Sequence, residues 1–300
     1  MITPKSAITP PAFVQDFCPE PFRLAPLSGG LSNLNYQLTF TQTGQRCVYF
    51  VRQFGSVYSQ FDNNPRHEVA AQNQAALMGL APHIVYNCEQ GIISEWVEGE
   101  HWDNAAQGDP ANIAKLAKLV ADLHQLPVPK HQLDMASRLQ HYYGQLQPDY
   151  QTTQLSAQLK LTLRLINHGL VETRYGFCHH DMNPLNFLLD QQGKLHLLDW
   201  EFAAAGHCDF DIVTLFQTFA WQQSEQAAFL LLYNQYYPGA QVDASQLDKM
   251  AVVVEMMTLL WCILMYQQNQ AESYHTLWQQ SELALAQKIK KLNKESQWDL

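Results

Sequence analysis

The sequence predicts an α+β fold in two lobes, a small antiparallel β lobe crossed by one helix and then a mostly helical lobe. Three observations predict it. Near Gly99 the pattern changes from short alternating segments to long runs at helical spacing. The chain has 300 residues, about twice a common domain length. Its 47% hydrophobic and 15% charged residues describe a packed chain and exclude both disorder and a collagen-like repeat.

In chain order, Phe22–Leu27, Tyr36–Phe40, Cys47–Gln53, Ile84–Tyr86 and Ile92–Val97 read as strands, separated by turn signals such as Thr43-Gly44 and Gln90-Gly91. Arg66–Met78 interrupts them with near-helical apolar spacing and stops at Gly79. The first lobe is expected over 1–98 and the second over 99–300, joined at Glu98-Gly99-Glu100 without a Pro/Gly/Ser-rich linker. Helices are expected at about 111–125, 132–145, 153–169, 209–219, 224–236 and 245–292, with a strand-rich island at 175–199.

The stretch from Ala251 to Tyr266 is the most apolar. It falls short of the roughly 20 residues of a membrane span and contains Glu255, so a buried helix is expected. Eighteen Lys and Arg against 28 Asp and Glu leave a net charge of −10, which disfavours nucleic acid as a partner. The six cysteines are scattered without C-x-x-C spacing, as reduced thiols would be. Met1–Phe17 carries three prolines and no unbroken apolar run, so a cytoplasmic protein with no membrane partner is expected.

The most informative stretch is Cys178-His179-His180-Asp181-Met182-Asn183-Pro184-Leu185-Asn186, followed by an apolar hairpin that ends in Leu198-Asp199-Trp200-Glu201. An H-x-D-x-x-x-x-N spacing with a second Asp after the next hairpin is what phosphoryl transfer from ATP uses. Asp181 then orients or deprotonates the attacking hydroxyl, and His179 braces the loop. Asn186 and Asp199 offer the hard oxygens that Mg2+ prefers. Upstream, the loop around Gly29, Gly30, Ser32 and Asn33 joins two expected strands. It suits either a phosphate-covering loop or a Gly-Gly hairpin turn. Arg52 on the third strand and Glu68 early in the following helix match the pair that positions the α and β phosphates of ATP in kinase-like folds. A surface Arg on an edge strand is the plainer reading of Arg52.

With these motifs in order, the chain resembles the aminoglycoside phosphotransferase and choline kinase superfamily, in particular its choline/ethanolamine kinase and thiamine kinase branch. The resemblance runs from about Phe22 to Tyr266 and includes G-G-L-S-N-L-N-Y, V-R-Q, I-S-E-W-V-E-G, L-H-Q-L-P, His179–Asn186 and L-L-D-W-E-F-A. It implies a protein-kinase-like bilobal fold and an ATP- and Mg2+-dependent enzyme that phosphorylates the hydroxyl of a small, cationic alcohol. It also implies that Ile93–Glu98, including Glu95, Trp96 and Val97, contacts adenine through its backbone. Gly206–Ile212 matches the family's G-x-x-x-x-D-[LI] helix start, so Asp211 is expected to tie that helix to the catalytic loop.

For the acceptor, the branch points to the C-terminal helices. Trp261 resembles the first tryptophan of a choline kinase pair, while Leu264 stands where the second would be. Tyr266 or Trp221 would complete an aromatic box around a quaternary ammonium, or else belong to the core. Glu201 would touch magnesium or the ammonium, or else be a solvated acid. The strand Gly44–Gln53 is similar to that of thiamine kinases, so choline, ethanolamine and thiamine stay nearly level. Aminoglycosides and other small metabolites follow. A non-catalytic kinase-like module ranks last, because Asp181, Asn186 and Asp199 are all present.

Overall fold

The computed structural model of the chain describes residues 10–18, 21–27, 33–55, 63–102, 108–169, 174–242 and 244–295. They form two compact units, Met1–Trp102 with Leu185–Ala203, and Asp103–Pro184 with Ala204–Leu300.

In the first unit, β1 (Phe22–Pro26), β2 (Asn33–Gln42), β3 (Gln45–Phe54), β4 (Ile84–Cys88) and β5 (Gly91–Glu95) form an antiparallel sheet in the order β1-β2-β3-β5-β4. The β2–β3 turn is Thr43-Gly44, both at positive φ (50° and 79°), the two-residue turn whose twist matches that of its strands. Alternation along the strands sorts side chains to two faces. Tyr36, Leu38, Phe40, Val51 and Ile93 are buried on one face, where Phe13 and Val14 of a short helix, α1 (Ala12–Phe17), complete the core. Phe17 meets Tyr49 edge-on at 5.2 Å. This helix lies before Phe22, where the expected elements begin. Pro11 sits at its N-cap, where a missing N–H costs nothing.

The crossing helix, α2 (Pro65–Leu77), begins with Pro65 at N1 and an Asn64 side chain that accepts from Arg66 N at 2.9 Å, so Glu68 falls in the first turn. The unit does not end at the expected residue 98. A three-residue strand, β6 (Gly99–His101), pairs with β8 (Phe187–Asp190), which pairs in turn with β9 (Leu195–Leu197). Gly99 is required there, because a Cβ would stand 2.4 Å from Leu189 O. The G-E-H segment is exposed and polar, which is why it carries no periodic signal.

The second unit contains α3 (Pro110–His124), α4 (Met135–Gly144), α5 (Thr153–Arg164) and, within the strand-rich island, β7 (Tyr175–Cys178). Opposite β7 lies an unexpected strand, β10 (Ala204–His207), with Ala204 facing Cys178 in register. Then come α6 (Cys208–Thr218), α7 (Gln223–Tyr236), α8 (Ala244–Asn269) and α9 (Glu272–Glu295). The helix expected over 245–292 is therefore two helices, broken where Gln270 takes φ +51°. They pack together, with Lys288 paired to Glu255 and Lys291 to Asp248. Ser245–Asn269 is by length and composition apolar enough to cross a membrane, but 67% of its most apolar window is buried in the fold. That agrees with a core helix.

Candidate active site

The face of the sheet opposite α1 carries Asn35, Phe50, Arg52, Ile92 and Ser94, and these line a cavity of about 690 Å³. Asn186, Leu198 and Asp199 line it as well, as do Glu95, Trp96, Val97 and His101. All of these residues belong to the first unit.

Arg52 is the hub. It stands on β3, an interior strand, and is 4% exposed, so the edge-strand reading does not apply. Its Nη1 donates to Glu68 Oε1 at 2.8 Å and to Asp199 Oδ1 at 2.6 Å, while Nε is 3.4 Å from Asn35 Oδ1. Burial pushes the Glu68 carboxyl up to about 7, with Arg52 pulling the other way and the Asp199 charge adding to the rise. Glu68 Oε2 is buried without a hydrogen-bond partner among the described residues. The guanidinium is held charged by Asp199 and Glu68 against the effect of its own burial. Asn35 was not singled out from the sequence, yet it faces Arg52 directly in the β2–β3 register.

Asp199 follows β9 at φ +65°, a left-handed backbone that Asp tolerates better than most residues. One residue earlier, Leu198 N donates to Asn186 O at 2.8 Å, which sets Asn186 and Asp199 on adjoining segments of one cavity wall. A carboxylate and an amide oxygen at one cavity are hard donors that fit Mg2+. Asn33, which is 6% exposed, donates from Nδ2 to Glu201 Oε2 at 3.1 Å and accepts from Gly55 N at 3.2 Å. It thereby fixes the start of β2 to the segment after Asp199. Gly29, Gly30 and Ser32 lie outside the described residues.

Within the expected adenine-contacting segment, the Glu95 amide donates to His83 O at 2.9 Å, and the Glu95 carboxylate accepts from His83 N at 3.2 Å. Trp96 Nε1 donates to Glu98 Oε2 at 2.9 Å. Glu95 is thus committed to holding β5 against the segment before β4, and Trp96 and Val97 continue the cavity wall beyond it.

In the second unit, the loop after β7 carries His179, His180 and Asp181. Asp211 of α6 accepts the His179 amide on Oδ2 and the His180 amide on Oδ1, both at 2.7 Å. Burial alone would raise the Asp211 carboxyl. The His124 hydrogen bond, the nearby His180 and His124 charges and the His179 amide outweigh it and hold the group below the usual carboxylate range. His180 takes φ +63°, and Gly206 leaves the room its ring needs, since a Cβ there would stand 2.4 Å from Nε2. Thr218 Oγ1 donates to Met182 O at 2.7 Å. His179 is buried and Asp181 half-buried at the end of this braced loop.

The aromatic candidates separate. Trp221 is 6% exposed and packs among Phe216, Phe219 and Phe229 at 5.6–5.8 Å, as core. Trp261 and Tyr266 are half-buried on α8 and both meet rings of α9. Trp261 is edge-on to Tyr274 at 5.8 Å, and Tyr266 stacks on His275 at 5.1 Å beside Trp278. These α9 rings were not singled out, because their helix read as the tail of a longer one.

A buried Arg–Glu pair beneath an antiparallel sheet, a carboxylate and an amide on the same cavity, and a braced H-x-D loop define a small-molecule kinase of protein-kinase-like fold. The sequence model of choline/ethanolamine kinase matches residues 24–284, and the chain belongs to that family. It is 22% identical over 239 residues to a probable choline kinase 3 of Arabidopsis thaliana, covering 75% of this chain and 67% of that protein. With a probable ethanolamine kinase of the same plant it is 22% identical over 230 residues, 72% of this chain and 61% of that one. Its fold is that of the crystal structure of choline kinase LicA from Streptococcus pneumoniae, at a TM-score of 0.72 and 18% identity over 88% of this chain and 94% of that one.

Proposed function

We propose that the chain transfers the terminal phosphoryl group of ATP to the hydroxyl of a small cationic alcohol, choline or ethanolamine in the first place, in the cytoplasm. The observation that carries this reading is Arg52. It is buried, interior to the sheet, and bonded to Glu68 and Asp199 at a cavity that Asn186 also lines. Glu68, Asp199 and Asn35 take up part of its donor capacity, and its remaining N–H groups suit phosphate oxygens.

In this reading ATP occupies that cavity, with its adenine against Phe50, Ile92 and the Ser94–Val97 segment and its phosphates toward Arg52. The loop containing Gly29, Gly30, Ser32 and Asn33 covers the phosphates. Asn186 and Asp199 hold Mg2+, which when bound supplies the positive charge that neutralises phosphate oxygens. Asp181 accepts a hydrogen bond from the acceptor hydroxyl and takes its proton as the new O–P bond forms. Asp211, with both oxygens on loop amides, keeps Asp181 in register, and the buried His179 braces the loop. For the acceptor's cationic group, the ring faces of Trp261 and Tyr266 and the carboxylate of Glu201 are the groups of suitable chemistry. Trp221 is withdrawn from that role by its burial among phenylalanines.

The test is ADP release by the purified chain with Mg-ATP against choline, ethanolamine, thiamine, kanamycin, homoserine and methylthioribose, with Asp181→Ala as the blank. Turnover of choline or ethanolamine above the blank supports the reading. Turnover of thiamine alone moves the acceptor to the other side of the branch. No turnover of any alcohol, with ATP bound, overturns it.

A further inference from the structure

Beneath the braced loop, three soft donors from three elements of the second unit meet in its interior. His124 ends α3, Cys178 ends β7 and Cys208 opens α6, and a ligand atom from each lies within 4.8 Å of the other two. All three residues are at least 98% buried. We propose that His124, Cys178 and Cys208 form a binding site for a thiolate-preferring divalent cation of the Zn2+ class, a structural centre separate from the phosphoryl-transfer site.

The geometry is close to what such an ion requires. Tetrahedral zinc, with sulfur at about 2.3 Å and nitrogen at about 2.0 Å, sets neighbouring donors about 3.5–3.8 Å apart. Closing the observed cluster therefore takes donor movements of about 1 Å, within the reach of side-chain rotation. Gly176 keeps the space open, since a Cβ there would stand 2.8 Å from Cys208 Sγ and 3.0 Å from His124 O.

The surroundings of the imidazole have the arrangement expected around a metal-bound histidine. His124 Nδ1 lies 2.8 Å from Tyr233 Oη, and Nε2 lies 3.2 Å from Asp211 Oδ2. When Nδ1–H donates to Tyr233 Oη, that outer partner fixes the ring, and an ion bound at Nε2 takes the place of its hydrogen bond to Asp211. Asp211 brings an oxygen beside the same nitrogen.

The charges balance. Taken as two thiols and a neutral imidazole, the three groups carry one ionisable proton on each sulfur. Uptake of one dication then forms bonds to both sulfurs and to the ring nitrogen. Two protons leave, one from each sulfur. No oxidant or reductant takes part. The sequence concealed this group because its members stand 54 and 30 residues apart, with no short metal-binding spacing.

The test uses the full chain grown in zinc- or cobalt-supplemented medium and purified without chelators. Metal analysis should find about one zinc per chain, and the cobalt form should show thiolate-to-cobalt charge-transfer absorption in the near ultraviolet. Cys178→Ser and Cys208→Ser should each reduce bound metal at least about tenfold, while Cys47→Ser, on β3, should leave it unchanged. Metal below about one tenth of an equivalent in the wild-type chain, or no thiolate charge-transfer band, overturns the proposal. So does full loading of both serine variants. Where a serine variant fails to fold, the wild-type measurements decide on their own.

Discussion

Asp199 Oδ1 stands 2.6 Å from Arg52 Nη1, the nitrogen that also bonds to Glu68 at 2.8 Å, so one guanidinium nitrogen serves two carboxylates on two segments. Removing it leaves Glu68 buried without its counter-charge. Arg52→Ala is expected to cost about 3–5 kcal/mol in chemical denaturation, because an uncompensated buried charge remains. Arg52→Leu combined with Glu68→Leu should recover most of that loss, since the orphaned charge goes with its partner. A double variant as unstable as Arg52→Ala would show that the pair is not what destabilises the single one. Neither variant should turn over ATP at the wild-type kcat/KM.

In the proposed mechanism Asp181 serves the acceptor and not the nucleotide. Asp181→Ala should therefore abolish phosphoryl transfer while the affinity for ATP, measured by calorimetry, stays within about twofold. A large loss of ATP affinity would move Asp181 into the nucleotide-binding machinery.

The two tryptophans on the helical side should respond oppositely. Trp221→Ala removes a ring from a phenylalanine cluster and is expected to cost about 3–5 kcal/mol of stability without a selective rise in acceptor KM. Trp261→Ala, at a half-buried position, should raise the acceptor KM more than it lowers stability. Steady-state kinetics beside thermal melts of both variants separates the two effects, and equal acceptor KM values would remove Trp261 from the substrate site.

The N-cap of α4 gives a pH dependence of known sign. Asp134 Oδ1 accepts Ser137 N at 2.9 Å and Oδ2 accepts Ser137 Oγ at 2.7 Å. The Ser137 amide first, then its hydroxyl, hold this carboxyl below the usual aspartate value. A carboxyl lowered in the folded state contributes stability above its ordinary range, and that contribution is lost as pH falls through the folded value. Asp134→Ala should cost about 1 kcal/mol at neutral pH and less near about pH 3, read from denaturation at both values. A cost that does not change with pH would assign the effect to helix propensity instead of the cap.

Much of the candidate site's arrangement was legible because its motifs are local in sequence. The spacing from His179 to Asn186 and the Leu198-Asp199-Trp200-Glu201 run lie within about two dozen residues, and Arg52 and Glu68 stood out as a strand-then-helix pair. What escaped depends on contacts that periodicity does not encode. Arg52 was compatible with an edge strand because nothing in the segment between β3 and α2 says that β5 will pair on its far side. Three-residue β6 and four-residue β10 are too short, and too polar or small in their side chains, to show alternation. The break at Gln270 lies in a polar run where helical spacing continues on both sides, so a turn at positive φ leaves no trace in the pattern. Trp221 and Trp261 are indistinguishable as residue types, and only their neighbours separate core from half-exposed ring.

The pairing of β6 with β8 bears on how the protein is made. Gly99–His101 leaves the ribosome early, but its partner strand, Phe187–Asp190, emerges more than eighty residues later. The nascent first unit therefore carries an unpaired strand through the synthesis of α3, α4 and α5, and gains Asn186 and Asp199 only with that late hairpin. A nascent chain halted before Asp199 lacks the acid that shares Arg52 with Glu68. On the proposed function, competence for the nucleotide therefore arrives in biosynthesis at a defined length of chain and not gradually.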